Sequence, residues 1–394
     1  MITTKREHTL GIWALGLGYF IFYTPYSGLI KAVTTGLLSH GERVSGFVLL
    51  PSTVISTALL IPLFITAMGW WKYVRVRKLF GMNLPLPSRH TFLSGICFAT
   101  IIATTTLAYS FKGVSIIFAL LLMRAGTLIM GPLIDRVFQR RVRWFSWAGL
   151  ALSLAALLIA FLDVREYQLS VLAVVNLAAY LTGYALRLPC MTQVAKTTDK
   201  KLSIRYFVEE QMVAMPTLVL VPGILALLGR GTIMTDLRFG FTHLFSGSFV
   251  LPGLAIGLFY AGLGIFTTFI FLDRRENTFC IPMHSCSSLL AGIVASFILM
   301  WWLHAPRPSG VQIGGVFLIV AALLVMSPLH HLPLYIRQIR EAIAEKRLVM
   351  VDFVGRQPAE PPLSASPATA RFITVNFQAV RDVLRKQSRG SQPS

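Results

Sequence analysis

A chain of 394 residues with 55% apolar and only 13% charged residues is not a set of soluble domains, in which about a quarter of residues carry charge. Nor is it disordered, because its apolar surface is in excess. The formal net charge of +20, from 36 Lys+Arg against 16 Asp+Glu, would point to nucleic acid in a soluble protein. In a membrane protein the same excess arises because Lys and Arg collect in cytoplasmic loops.

In chain order, apolar runs of about 20 residues fall near 10–36, 46–69, 91–110, 113–134, 144–162, 169–191, 207–228, 249–272, 285–303 and 311–330. The first is too long for a signal-peptide core, and Leu37-Leu38-Ser39-His40 is no cleavage site, so it is expected to stay. Trp70-Trp71, Trp144 and Trp301-Trp302 stand at span ends, where interfacial aromatics belong.

The cations orient these spans. With the N-terminus inside, the inner side collects Lys5, Arg6, Lys72, Arg75, Arg77, Lys78, Arg89, Arg136, Arg140, Arg141, Arg143, Lys196, Lys200, Lys201, Arg205, Arg274, Arg275 and ten in the tail after 331. The outer loops hold Arg43, Lys112, Arg165, Arg230, Arg238 and Arg307, a division of 27 against 6. A miscounted helix would invert the bias partway along. The expectation is an all-α integral membrane protein with ten transmembrane helices and both termini cytoplasmic, in a bacterial-type inner membrane. The charge is then mostly topology; the lipid bilayer is the partner, and no nucleic acid is expected.

The tail is different in character. Pro358, Pro361, Pro362 and Pro367 mark a flexible linker. Ile373, Phe377, Val380 and Leu384 then recur at helical spacing among Arg381, Arg385 and Lys386. Two readings stand: an amphipathic helix on the anionic leaflet, or a frayed basic tail.

A weak duplication runs through the chain. Residues 147–158 align with 313–324 at an offset of 166, with six of twelve positions identical. At an offset of 165, Gly18-Tyr19 matches Gly183-Tyr184 and Lys31 matches Lys196. Apolar helices align readily by chance, but two segments agree within one residue. Five spans per half is an odd number, so halves 1–162 and 163–330 must be oppositely oriented, with residues 331–394 as a basic tail. That is the inverted-repeat plan, with a midplane site between the halves. Five plus five helices, with Gly149–Leu158 and Val311–Val320 closing the halves, resembles the drug/metabolite transporter superfamily of EamA type. The resemblance covers about residues 10–330 at the level of topology and implies secondary transport. It departs where basic Arg140, Arg141 and Arg143 replace an acidic residue, in the basic 71–90 loop, and in the tail.

Charge inside a span marks a site by default. Arg124, in Met123-Arg124-Ala125-Gly126, lies near the midplane and needs a cavity, an anionic substrate or an acidic partner such as Glu209 or Glu210. Lys31, near the outer end of the first span, is expected to snorkel. For Arg187, in the inner half of the sixth span opposite Phe22 of the repeat, snorkelling and function stand level. Together the three cations suit a phosphate or carboxylate. Tyr19, Tyr23 and, in the second half, Tyr184 add hydroxyls and rings. Pro25 and Gly28 suggest either a half-broken first helix or a simple kink. Comparable breaks are marked by Gly131-Pro132, Pro222-Gly223 and Pro252-Gly253. The stripe Gly253, Gly257, Ala261 reads as helix packing. Glu209 and Glu210 read as capping their own helix, with proton coupling as the functional alternative. His330-His331 reads as interfacial.

The chain lacks Walker A, G-x-S-x-G and H-E-x-x-H sequences, which excludes an ATP-driven pump within it. The four cysteines, Cys97, Cys190, Cys280 and Cys286, have no C-x-x-C spacing, and neither metal nor cofactor is expected. The reading is a non-enzymatic carrier or flippase-like protein for a small anionic or lipid-linked substrate, with homodimerisation open. A lipid-modifying membrane enzyme and a scaffold subunit of an envelope assembly are the alternatives.

Overall fold

A computed structural model describes residues 2–38, 43–79, 82–110, 116–162, 170–196, 199–244, 247, 249–304 and 310–326. The tail, His330-His331, Lys112, Arg165 and Arg307 lie outside them. The described residues form helices α1 (Ile2–Thr34), α2 (Gly46–Ala67), α3 (Arg89–Ala108), α4 (Ile116–Val137), α5 (Trp144–Leu162), α6 (Val171–Val194) and α7 (Lys200–Leu228). These are followed by α8 (Gly231–Thr242), α9 (Val250–Leu272), α10 (Asn277–Leu303) and α11 (Gly310–Met326). A 3-10 turn at Trp70–Tyr73 leads into an antiparallel hairpin, β1 (Val76–Leu79) with β2 (Met82–Pro85).

Helix starts follow local chemistry. Ser88 accepts from Thr91 N, Ser170 from Ala173 N and Asp199 from Lys201 N, each side-chain oxygen satisfying a backbone N–H that lacks a helical partner. Gly229, at φ 59°, ends α7 in the left-handed conformation. Arg238 of α8 supports the same end, donating to Ala226 O at 2.9 Å and Leu227 O at 2.7 Å. This loop cation is therefore also a C-terminal cap of α7.

Among the described residues, α2, α3, α6, α7, α9 and α10 are long and apolar enough to cross a membrane. The polarity is inverted relative to a soluble protein: Leu227, Leu251 and Trp302 are about 80% exposed, while Arg124, Arg187, Glu210 and His284 are buried. Apolar flanks around satisfied polar groups are what a lipid solvent demands. The chain is a multi-pass helical membrane protein.

Three features differ from the sequence reading, and one choice it left open is narrowed. The helix carrying Pro25 is continuous from Ile2 to Thr34, so the half-broken alternative is not formed, and Pro132, Pro222 and Pro252 also sit within helices. A proline clashes only with the preceding turn, so a long helix clasped by neighbours absorbs it. Helix α7 begins at Lys200 and α10 at Asn277, before the apolar runs at 207 and 285, because hydropathy does not see a polar first turn, whether exposed at Lys200 and Lys201 or buried and bonded to Asp135 at Asn277 and Thr278. The hairpin and α8 were not anticipated. The alternation Val74-Arg75-Val76-Arg77 is the period-2 signal that marks the former.

Leaving α8 aside, most packed pairs exchange under a shift of five helices. Pair α3–α6 answers to α1–α9, α2–α9 to α3–α7, and α1–α10 to α4–α6, while α2–α7, α4–α10 and α5–α11 map onto themselves. The α5–α10 contact is an exception. The correspondence extends to residues. A Cβ on Gly18 would lie 2.4 Å from Phe266, and one on Gly183 3.0 Å from Ile101; both members of the pair shift by 165. Helices α1–α5 interdigitate with helices α6, α7, α9, α10 and α11, and the described residues belong to one compact unit. Gly253 and Gly257 press on α2, where a Cβ would meet Ser52 Oγ at 1.9 Å or Thr53 O at 2.4 Å, which is helix packing.

Candidate functional site

Helices α1, α3, α4, α6 and α9 enclose a small cavity of about 10 Å³, walled chiefly by Tyr19, Tyr23, Arg124, Tyr180, Tyr184 and Tyr260. That is space for about one water molecule. A metabolite requires the helices to part.

Arg124 lies on the cavity wall with 2% exposure. Its Nε donates to Ser288 Oγ at 2.9 Å and its Nη1 to Tyr180 OH at 2.8 Å. Nη2 donates to Tyr19 OH at 3.1 Å and Tyr23 OH at 3.5 Å, and Nη1 approaches His284 Nδ1 at 3.4 Å. Tyr23 is steadied by a hydroxyl–hydroxyl bond to Tyr109. These five acceptors match the five N–H donors of a guanidinium, yet all are neutral. The proposed acidic partnership with Glu209 or Glu210 is not formed, because both carboxylates are held elsewhere. The guanidinium is solvated but not neutralised.

Arg187 presents the other arrangement. It is fully buried rather than snorkelling. Its Nε and Nη2 donate to Glu210 Oε1 and Oε2, each at 2.8 Å, and Nη2 also reaches Thr268 Oγ1 at 2.8 Å. Phe98 lies under it at 4.0 Å, and Ser94 donates to Glu210. The pair ties α6 to α7, with α3 and α9 attached. Bidentate geometry and extra hydrogen bonds are what allow a buried ion pair to offset its desolvation.

Glu209 and Glu210 do not open α7; they are its tenth and eleventh residues. Glu209 serves the start of α3 instead, accepting from Ser88 N at 3.2 Å and Thr91 Oγ1 at 2.9 Å, with Arg205 Nε 3.4 Å away. Lys31 stands eight residues beyond Tyr23 on α1, about 12 Å along the axis, and is not among the cavity-lining side chains. Lys196, which lies 165 residues further along the chain, donates to Arg275 O at 2.8 Å.

The structure thus brings together Arg124, Tyr19, Tyr23 and Tyr184, leaves Arg187 in a separate ion pair, and adds Tyr180, His284, Ser288 and Tyr260. Tyr180 sits one turn from Tyr184 on α6, and Ser288 one turn from His284 on α10; this i, i+4 spacing was the available signal. His284 was missed because it precedes the apolar run that begins at 285.

The end of the bundle holding the α4–α5 and α9–α10 loops is closed by charge. Asp135 accepts from Asn277 N at 3.0 Å and Nδ2 at 2.9 Å, and from Thr278 N and Oγ1, each at 2.7 Å. Glu276 accepts from Arg143 Nε at 2.8 Å and Ser146 Oγ at 2.6 Å. Burial raises the Glu276 carboxyl, but these hydrogen bonds and the Arg143 charge outweigh it and hold it below its usual value. Arg140 Nη2 donates to Arg274 O at 2.7 Å. The 273–278 segment is clasped from both sides.

No protein-family model and no curated protein matches the chain. A crystal structure of another protein shares the fold, with a TM-score of 0.50 at 16% identity, over 82% of this chain and 96% of that one. That likeness concerns the fold alone.

Proposed function

We propose that this chain is a secondary transporter for a small anion, carboxylate or phosphate, held at Arg124 between two inverted five-helix halves. In this reading ten helices cross a bacterial-type inner membrane with both termini in the cytoplasm, as the 27-to-6 division of cations suggests. The exchanging helix pairs and the shared offset of 165 support a repeat like that of the drug/metabolite transporter superfamily.

One observation carries the reading: Arg124 is buried at mid-span among neutral acceptors only. An anion 4 Å from it gains about 4 kcal/mol at an effective dielectric constant near 20, a factor of about a thousand in affinity. The tyrosine hydroxyls that now accept from Arg124 can turn and donate to that anion. A cavity of about 10 Å³ belongs to a closed form, so loading requires one end to part, and the clasp around residues 273–278 marks the cytoplasmic closure.

The test uses purified full-length chain in proteoliposomes, with uptake of radiolabelled carboxylates and phosphates and, separately, translocation of fluorescent anionic lipid. Saturable movement that disappears in a stably inserted Arg124→Ala protein is expected, and the two assays separate a free metabolite from a lipid-borne group. Full activity of Arg124→Ala would overturn the site.

A further inference from the structure

We propose that His284 is the proton-binding group of this carrier, so that one proton travels with each anion bound at Arg124. The inference rests on Arg124 being the anion site. It adds the coupling ion and the residue that carries it, in place of the coupling role that the sequence offered as the alternative for Glu209 and Glu210.

The geometry assigns the imidazole a single state in the closed, anion-free form. An arginine can only donate, so the contact from Arg124 Nη1 to His284 Nδ1 at 3.4 Å makes Nδ1 the lone-pair nitrogen. The ring proton then sits on Nε2, facing Thr267 Oγ1 at 3.5 Å. The ring is 1% exposed and pinned between Tyr19, 4.4 Å away, and Phe271, 4.7 Å away. A second proton has one place to go: the nitrogen that looks at a guanidinium. Two adjacent cations with no carboxylate bonded to either repel strongly where water is excluded.

The charged and titratable surroundings can be named helix by helix. Helix α1 contributes Tyr19, α4 contributes Arg124, and α9 carries Tyr260 as its one titratable residue. Helices α5 and α11 carry no titratable residue at all. On α10 itself the neighbours are Cys280 and Cys286. Asp135, at the first turn of α10, is held by Asn277 and Thr278. Arg187, the other cation acting on the ring, is already paired with Glu210. An arriving anion is therefore the group that changes the balance.

The anion takes the place of His284 as an acceptor for Arg124 and presents negative charge to both. Nδ1, released from the guanidinium, takes a proton from water on the side to which the cavity is open. When the anion leaves on the other side, Arg124 returns to Nδ1 and the proton passes to water there. The N–H bond is the only bond made and broken, and one proton moves for each anion.

Proton uptake on binding tests this with full-length protein in detergent, weakly buffered, with a pH indicator. Methanesulfonate and benzenesulfonate serve as probes because they stay anionic across the range used. The wild type should take up about one proton per probe bound near neutral pH, with affinity rising up to about tenfold per unit fall in pH. His284→Asn, which keeps an amide acceptor near Nδ1, should bind with little pH dependence and no uptake. Nitrogen-15 histidine spectra of the wild type, assigned by loss of one signal in His284→Asn, should move from neutral imidazole to imidazolium on adding probe; this arm stands even if the variant folds poorly. Arg124-dependent binding without proton uptake or an imidazolium signal would overturn the coupling and leave the anion site intact. Absence of any Arg124-dependent binding would overturn both.

Discussion

Two arginines lie in the same apolar bundle and are buried to the same degree, yet they are handled in opposite ways. Arg187 meets Glu210 in a two-pronged ion pair that stitches α6 to α7. Arg124 meets three tyrosines, a serine and a histidine, and keeps its charge. Insertion scales put an arginine at mid-membrane at about 2.5–3.5 kcal/mol. A carboxylate offsets that permanently, whereas neutral acceptors solvate the ion but leave its field to act on a ligand. The first arrangement is a structural tie; the second leaves a charge uncancelled, and the proposed function assigns that charge to an anion. At the offset of 165 from Arg187 stands Phe22, packed on Phe259 and Phe266, so the ion pair has no counterpart at that offset.

The largest expected effect comes from splitting the tie. Glu210→Gln leaves Arg187 as an uncompensated buried charge and should destabilise the protein by about 3–5 kcal/mol, read as a lowered thermal midpoint in detergent. Replacing both, as Arg187→Met with Glu210→Leu, should recover much of that loss. A double variant no better than the single one would show the pair is more than a tie.

Arg124→Gln should give the converse pattern. Hydrogen bonds to the tyrosines survive in part, so the midpoint should move less than in Glu210→Gln, while anion binding should fall about a thousandfold if the field does the binding. Arg124→Lys should also bind poorly, since a point charge cannot reproduce the two-pronged fork. A stability loss as large as that of Glu210→Gln would erase the distinction between the two arginines.

Tyr180→Phe sharpens it further. Removing a 2.8 Å acceptor from a cation should change stability by about 1.5–3 kcal/mol and leave Arg187 untouched, which the Glu210→Gln background would check through additivity.

The smallest effect belongs to the pair formed by half-exposed Arg143 and buried Glu276. Because the folded Glu276 carboxyl titrates below its ordinary value of 4.5, its contribution is complete above that value and is lost as pH falls below it. The gap in thermal midpoint between wild type and Glu276→Gln should therefore close as pH falls from about 7 toward about 3.

Much of this was legible in the chain before folding. Membrane character, the apolar segments and the weight on Arg124 follow from hydropathy and from the cost of a mid-span cation, both local properties. The offset of 165 at Gly18 and Gly183 also reappears in space, because each glycine admits a bulky side chain of its partner helix, Phe266 or Ile101. Partnership could not be read this way. Whether Arg124 or Arg187 receives Glu210 depends on which helix faces display them, and sequence spacing says nothing about which faces meet. The early starts of α7 and α10, and with them His284, were hidden because a polar turn costs little once Asp199 caps the one and Asp135 the other. The chain determined where charge sits along each helix; the packing of helices decided which charge is cancelled by a carboxylate and which is met by neutral acceptors alone.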